Sequence, residues 1–163
     1  MKTRSELEQY IINLGARFVP KEKSRLMKIM GWLLKWIGNN EFISRYWTTI
    51  GVTIYYPEGV QDPLDHPQVV EHELIHVEQW KKWWILFSIS YLFLPIPFGL
   101  AWCRWRWERE AYLKAQLSQA DDIESQLDYL VQTLWKGYGW PWPKKWMKNW
   151  FLRELEKITY SNI

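Results

Sequence analysis

Cysteine is almost absent from this chain, and so is a marked excess of charge. Cys103 is the only cysteine among 163 residues, so an internal disulfide and a cysteine-rich zinc module are both excluded. The 21 basic and 18 acidic side chains leave a formal net charge of only +3. A balance of this kind argues against a dedicated nucleic-acid binder, which carries a much stronger basic bias.

A secretion signal is also not visible. The first fifteen residues, MKTRSELEQYIINLG, are charged and amphipathic and do not form an apolar core of signal-peptide type. We therefore expect a cytoplasmic protein. The length favours a single domain, residues 1–163, with a hydrophobic core of its own.

Aromatic residues are abundant, with fourteen Trp, nine Tyr and six Phe. Tryptophan alternates with Arg and Lys in WCRWRWER, residues 102–109, and in GYGWPWPKKWMKNWF, residues 137–151. Such stretches serve as membrane-interface anchors, as stacking surfaces for single-stranded nucleic acid, or as core packing. We favour packing. In this arrangement Trp stripes point inward and the basic side chains point outward, and the stripes consist of Trp102, Trp105, Trp146 and Trp150.

Periodicity predicts a mainly α fold with a small β element, an α+β class. Helices are expected over residues 5–14, ended by Gly15, and over 26–37, where a mostly buried helix is favoured over a basic membrane-surface helix. Residues 42–56 are rich in β-branched and aromatic side chains and predict one or two short strands. If there are two strands, a hairpin with its bend at Gly51 is the expected arrangement. Further helices are expected over 67–84, 105–117, about 122–137 and 144–157.

Residues 83–103 form a run of 21 residues without a charge, flanked by basic side chains and Trp. The length suits a membrane span, but Pro95 and Pro97 should break a helix near its middle. We expect a broken helical hairpin instead, either buried in the domain or lying on a bilayer. Contact with a membrane surface through residues 83–107 is the corresponding partner prediction.

The stretch EHELIHVEQW contains His72, Glu73 and His76 as an H-E-x-x-H motif. On a helix, positions i and i+4 lie one turn apart on one face, so both imidazoles can face one ion. Neutral imidazole is a good ligand for Zn²⁺. Glu73 lies to the side of that face, where it can act as a base towards water on the metal. The sequence thus predicts a zinc site on a buried helix.

A catalytic zinc site needs a third protein ligand, and no further His follows the motif closely. His66 is an upstream alternative whose simpler role is capping. Glu108 and Glu110 lie on a later helix and are stronger candidates. Glu71 and Glu78 share the motif helix at poor angles, so we expect both on its solvated face.

The motif helix followed by WEREAY resembles the gluzincin group of zinc metallopeptidases, and within it small phage and bacterial domains with H-E-x-x-H-x-x-Q followed by E-x-x-A. The resemblance covers residues 69–115. It implies a zincin-like core in which His72, His76 and Glu108 bind zinc and Glu73 is the catalytic base. Tyr112 stands where many gluzincins have Asp, which leaves the partners that orient the histidines open.

The resemblance also implies a peptide or protein substrate that adds a strand to TTIGVTIYY, residues 48–56. A tyrosine hydroxyl would steady the oxyanion, with Tyr112, Tyr55 and Tyr56 as candidates. The expected function is peptide hydrolysis, in which zinc-bound water attacks the carbonyl carbon and Glu73 acts as base. The alternatives are a zinc-binding scaffold without proteolysis, and a membrane-associated interaction protein with a vestigial motif.

Overall fold

The computed structural model describes residues 2–36, 40–92, 100–117, 120–137 and 143–161. These ranges contain six α-helices: α1 (Arg4–Leu14), α2 (Arg25–Trp36), α3 (Pro67–Leu92), α4 (Leu100–Ala115), α5 (Ile123–Gly137) and α6 (Lys144–Ser161). They also contain three short strands: β1 (Arg17–Pro20), β2 (Thr48–Ile50) and β3 (Thr53–Tyr56). The predicted mainly α fold with a small β element is confirmed.

The chain groups into two compact units, Met1–Ser88 and Ile89–Ile163. The first contains α1, α2, the sheet and most of α3, and the second contains α4, α5 and α6. This division describes how residues pack within each unit. That residues 1–163 form a single domain stays a prediction.

Helix α1 forms where the sequence predicts it, because both of its ends are capped. The Thr3 side chain accepts a hydrogen bond from the Glu6 backbone N–H, and the Glu6 carboxylate accepts one from the Thr3 backbone N–H. These two bonds satisfy backbone donors at the start of the helix. At the other end Gly15 adopts φ 59°, a left-handed conformation that costs glycine little. Leu7 of α1 is buried against the apolar face of α3.

The sheet has the order β1-β3-β2. Strands β2 and β3 are antiparallel and joined through Gly51, whose φ of 64° suits glycine, so the predicted hairpin is confirmed. Strand β1 pairs parallel to β3 and was not predicted from the sequence. Its four residues are too few to show an alternating pattern.

Helix α3 begins at Pro67, and His66 precedes it, as predicted. Trp84 interrupts the helix with φ 26° and ψ −95°, so the predicted end near Trp84 coincides with a break in helical geometry. The centre of the predicted charge-free segment, residues 93–99, lies outside the described residues. Of the helices that the structure describes, none is long and apolar enough to cross a membrane.

Helix α2 differs from its prediction as a mostly buried helix. Met27 is fully buried, but a row of large apolar side chains is exposed to solvent, comprising Leu26, Ile29, Trp32, Leu33 and Trp36. Periodicity predicted the helix correctly, but a helix that is apolar nearly all round does not reveal which side is covered.

The second unit has an aromatic core around Trp105, whose side chain is buried. Its ring contacts those of Trp146, Trp150 and Phe151, with centroids 5.7–6.0 Å apart. Arg109 lies over Trp150 at 4.3 Å, and burial lowers the pKa of its guanidinium. Packing is confirmed as the role of Trp105, Trp146 and Trp150, whereas the side chain of Trp102 lies outside the description.

Lys21 is a fully buried cation in the first unit. Its ammonium donates a hydrogen bond to the Phe42 carbonyl at 2.8 Å and lies 3.8 Å from the centre of the Phe42 ring. Burial lowers the pKa of Lys21 to about 8, and the negative charge of Glu73 opposes that shift. The folded chain therefore releases this proton more readily than the unfolded chain does.

We predict that Lys21 makes stability depend on pH. Between the folded pKa of about 8 and the ordinary value of 10.5, the unfolded chain holds more protons at this residue, so its contribution to the free energy of unfolding increases with pH. In urea denaturation, the wild type should gain stability over Lys21→Met across that interval. If the difference in unfolding free energy between wild type and Lys21→Met does not change with pH, the prediction is contradicted. Lys23→Met, at an exposed position, is the matched control.

Candidate metal centre

The motif residues lie on a stretch of α3 that is buried all round. Every residue from Val70 to Val77 is buried, and so is Gln79. The apolar side chains of Val70, Leu74 and Val77 pack with Leu7 and Ile54 in the core of the first unit. The helix therefore has its apolar stripe in the core, and its buried polar side chains need partners elsewhere.

The two histidines point at one place. The Nε2 atoms of His72 and His76 are 3.1 Å apart, and their rings are nearly perpendicular, at 84°. The Nδ1 atom of His76 is 2.8 Å from the Gln79 side-chain oxygen. A neutral His76 ring that donates from Nδ1 to this oxygen presents the lone pair of its Nε2 atom to the neighbouring space.

Glu108 of α4 completes a buried group with these histidines. One ligand atom from each of His72, His76 and Glu108 can be chosen so that all three lie within 4.8 Å of one another. The side chains are 7%, 1% and 3% exposed, respectively. Two imidazole nitrogens and a carboxylate oxygen are a donor set that suits a transition-metal ion, so the group could hold one.

The other proposed ligands lie elsewhere. His66 is exposed, and its ring lies edge-on to Trp47 with centroids 6.0 Å apart. The Glu110 side chain is 43% exposed and accepts a hydrogen bond from Lys114 at 2.8 Å. Of the two glutamates left open by the sequence, Glu108 is the one that, among the described residues, belongs to the group that could hold a metal ion.

Glu73 lies next to His72 in the chain and is also buried. The hydroxyl of Thr49, on β2, donates a hydrogen bond to Glu73 Oε2 at 2.5 Å. Thr49 is itself only 4% exposed, so this bond is shielded from water. Thr49 was not predicted as a site residue, because nothing in a strand sequence shows which helix residue its hydroxyl will meet.

The prediction of a solvated position for Glu71 is wrong. Glu71 is 2% exposed, and the Lys2 ammonium forms an ion pair with it. Glu78 is partly buried, and the Tyr10 hydroxyl donates a hydrogen bond to it. Burial and the nearby negative charge of Glu78 raise the pKa of Tyr10. The terminal segment and α1 thus supply partners for the acidic residues of α3.

The three tyrosines considered as oxyanion donors are all partly buried. Tyr112 packs against the aromatic core of the second unit. Tyr55 and Tyr56 are half-buried on β3, and the Tyr56 ring lies 6.0 Å from that of Trp47. A catalytic role for any of them stays a prediction.

We predict that metal binding needs all three members of the buried group. His72→Ala, His76→Ala and Glu108→Gln should each lower zinc affinity by more than roughly 100-fold, because loss of a ligand exceeds the roughly 10–100-fold cost of losing a ligand's hydrogen-bond partner. Isothermal titration of the metal-free chain with zinc gives the affinities. His66→Ala is the matched control, and equal losses in it would refute the assignment.

Gln79 should tune the same affinity without being a ligand. Gln79→Ala removes the acceptor that fixes the His76 ring, so we expect zinc affinity to fall by roughly 10–100-fold. Gln68→Ala, an exposed change on the same helix, should leave affinity unchanged. An unaltered affinity in Gln79→Ala would show that His76 is oriented by other contacts.

Comparison of the chain with protein-family models, curated proteins and solved structures gives no match. The zincin-like core and the gluzincin resemblance therefore have no support beyond the motif residues themselves. What the structure does show is a buried group of His72, His76 and Glu108 that could hold a metal ion.

Proposed function

We propose that this chain is a zinc-dependent metallopeptidase of the gluzincin type. The observation that carries the proposal is the buried group of His72, His76 and Glu108, with Glu73 adjacent on the same helix. A metal site that only stabilises structure usually takes four protein ligands, whereas catalytic zinc usually takes three and keeps one position open. Within the part of the chain that the structure describes, the group has three members, which favours a catalytic site.

The donor set fits zinc better than the hard cations. Ca²⁺ and Mg²⁺ prefer oxygen ligands, whereas two of the three donors here are imidazole nitrogens. When bound, zinc would supply Lewis acidity, polarising a substrate carbonyl and lowering the pKa of a coordinated water towards neutrality. The remaining chemistry depends on side chains of the chain itself.

Glu73 is proposed as the general base. Its Oε2 atom accepts the Thr49 hydrogen bond, which holds the carboxylate plane and leaves Oε1 to accept a proton from the attacking water. The protonated Glu73 can then give that proton to the leaving amine. Burial keeps bulk water from competing for the carboxylate.

The edge strand β2 supports a peptide as substrate. Strand β2 lies at one end of the sheet order and pairs on one side with β3. Thr49 links β2 to Glu73, so the strand runs beside the motif helix at the position of the proposed base. A peptide that pairs with β2 on the side away from β3 would use main-chain hydrogen bonds, which suit many sequences.

Glu73→Gln tests the proposed chemistry. With zinc bound and a mixture of fluorogenic peptides as substrate, we expect kcat to fall by roughly 10²–10⁴-fold, because a positioned general base contributes that much. Zinc affinity should be retained, since Glu73 is not a member of the metal group. Glu58→Gln, an exposed glutamate, is the control.

Two outcomes would contradict the peptidase. A chain that binds zinc through His72, His76 and Glu108 but cleaves no peptide would be a metal-binding scaffold. Cleavage that is unchanged in Glu73→Gln would remove Glu73 from the chemistry.

Thr49 is predicted to be a positioning residue for Glu73. Thr49→Val keeps the shape but removes the donor, and hydrogen bonds to charged groups contribute about 1.5–3 kcal/mol, so kcat should fall roughly 10–100-fold. We expect little change in KM, and Thr49→Ser should restore kcat. A change in KM with kcat unaltered, or a Thr49→Ser variant that does not restore kcat, would indicate a structural role instead.

A further inference from the structure

Helix α2 has apolar side chains on two opposite faces. At 100° per residue, Met27, Met30, Gly31 and Leu34 lie on one face and are buried or half-buried. The opposite face spans an arc of about 120° and consists of exposed side chains. Its apolar members are Leu26, Ile29, Trp32, Leu33 and Trp36, between 47% and 77% exposed. Arg25, the first residue of the helix, lies within the same arc.

Close packing fixes which face points outward. A Cβ added to Gly31 would lie 2.9 Å from Ile43, so the α2 backbone approaches the segment around Phe42 and Ile43 directly. Met27, one turn earlier, is fully buried. The helix therefore cannot rotate to bury Trp32 and Trp36 without losing the contact at Gly31.

The exposed face has one cation on it and two beside it, and there is no acidic side chain on the same helix. Arg25, Lys28 and Lys35 are all exposed, and the sequence of α2, RLMKIMGWLLKW, contains neither Asp nor Glu. By the same 100° rule, Lys28 and Lys35 border the apolar arc on one side. This arrangement complements a surface that is apolar beneath and negatively charged at its boundary.

We propose that α2 is an interfacial helix that binds the surface of an anionic lipid bilayer. Twelve residues extend about 18 Å, which is too short to span a bilayer but sufficient to lie in its plane. The paired rings of Trp32 and Trp36, 5.7 Å apart, suit the headgroup region, where an apolar ring with a polar N–H is favoured. The lysines would face lipid phosphates and carboxylates.

This proposal is independent of the metallopeptidase. It also differs from the predicted contact through residues 83–107, where Trp83 and Trp84 are exposed near Lys81 and Lys82. The two surfaces can be separated by substitution.

Co-sedimentation of the full chain with lipid vesicles tests the proposal. We expect strong binding to phosphatidylcholine vesicles that contain phosphatidylglycerol, weak binding to phosphatidylcholine alone, and loss of binding at high salt. Lys28→Glu with Lys35→Glu should lower the partition coefficient by at least about 25-fold, at roughly fivefold for each of the two lost cations, because anionic lipid also repels the new carboxylates. Lys136→Glu with Lys145→Glu, exposed lysines with the same charge change, is the matched control.

The aromatic face is tested in the same assay. Trp32→Ala with Trp36→Ala should abolish detectable binding, whereas Tyr129→Ala with Trp135→Ala, exposed aromatic residues of α5, should not. Circular dichroism checks that each variant is folded.

Three results would overturn the proposal. The first is no binding of the wild type to anionic vesicles. The second is binding that survives the Trp32 and Trp36 changes but is lost with Trp83→Ala and Trp84→Ala, which would place the membrane contact on α3. The third is a wild-type dimer, seen by analytical ultracentrifugation, that these α2 variants dissociate in the absence of vesicle binding, which would assign the face to a second copy.

Discussion

Burial of polar side chains on one stretch of α3 is the constraint on which the rest of the first unit depends. Five such residues are at most 7% exposed: Glu71, His72, Glu73, His76 and Gln79. Buried polar groups are costly without partners, so the surrounding elements have to supply them. The terminal segment supplies Lys2 for Glu71, and the sheet supplies Thr49 for Glu73. The helix itself supplies Gln79 for His76. The terminal segment and the small sheet thus supply partners for buried polar groups of α3, besides covering apolar surface.

Local spacing explains how much of this could be predicted. The i, i+4 rule placed His72 and His76 on one face, and the apolar residues around them correctly indicated a buried helix. Gly51 and the β-branched residues near it predicted the hairpin, and Gly15 predicted the end of α1. In each case the determining interactions lie within a few residues along the chain. The choice of Glu108 over Glu110 followed from resemblance, whereas the direction of the two side chains alone left both open.

Contacts between distant residues explain what the sequence could not show. Lys2 and Glu71 are 69 positions apart, and Thr49 and Glu73 are 24 apart. Neither pairing leaves a periodic signal, so Glu71 was placed on a solvated face and Thr49 was not considered. Strand β1 was missed because it is short and pairs parallel to β3. The exposed face of α2 was missed because its apolar residues look the same whether protein or another apolar medium covers them.

The nature of the group at His72, His76 and Glu108 is the central question, and zinc X-ray absorption addresses it most directly. For the zinc-loaded chain we expect a first shell of nitrogen and oxygen at about 2.0–2.2 Å with the outer-shell scattering of two imidazoles. His72→Ala should reduce the imidazole contribution to one ring, and Glu108→Gln should leave it at two. A sulfur shell, a hydrated ion without imidazole scattering, or a spectrum unaffected by His72→Ala would show that this group is not the metal site.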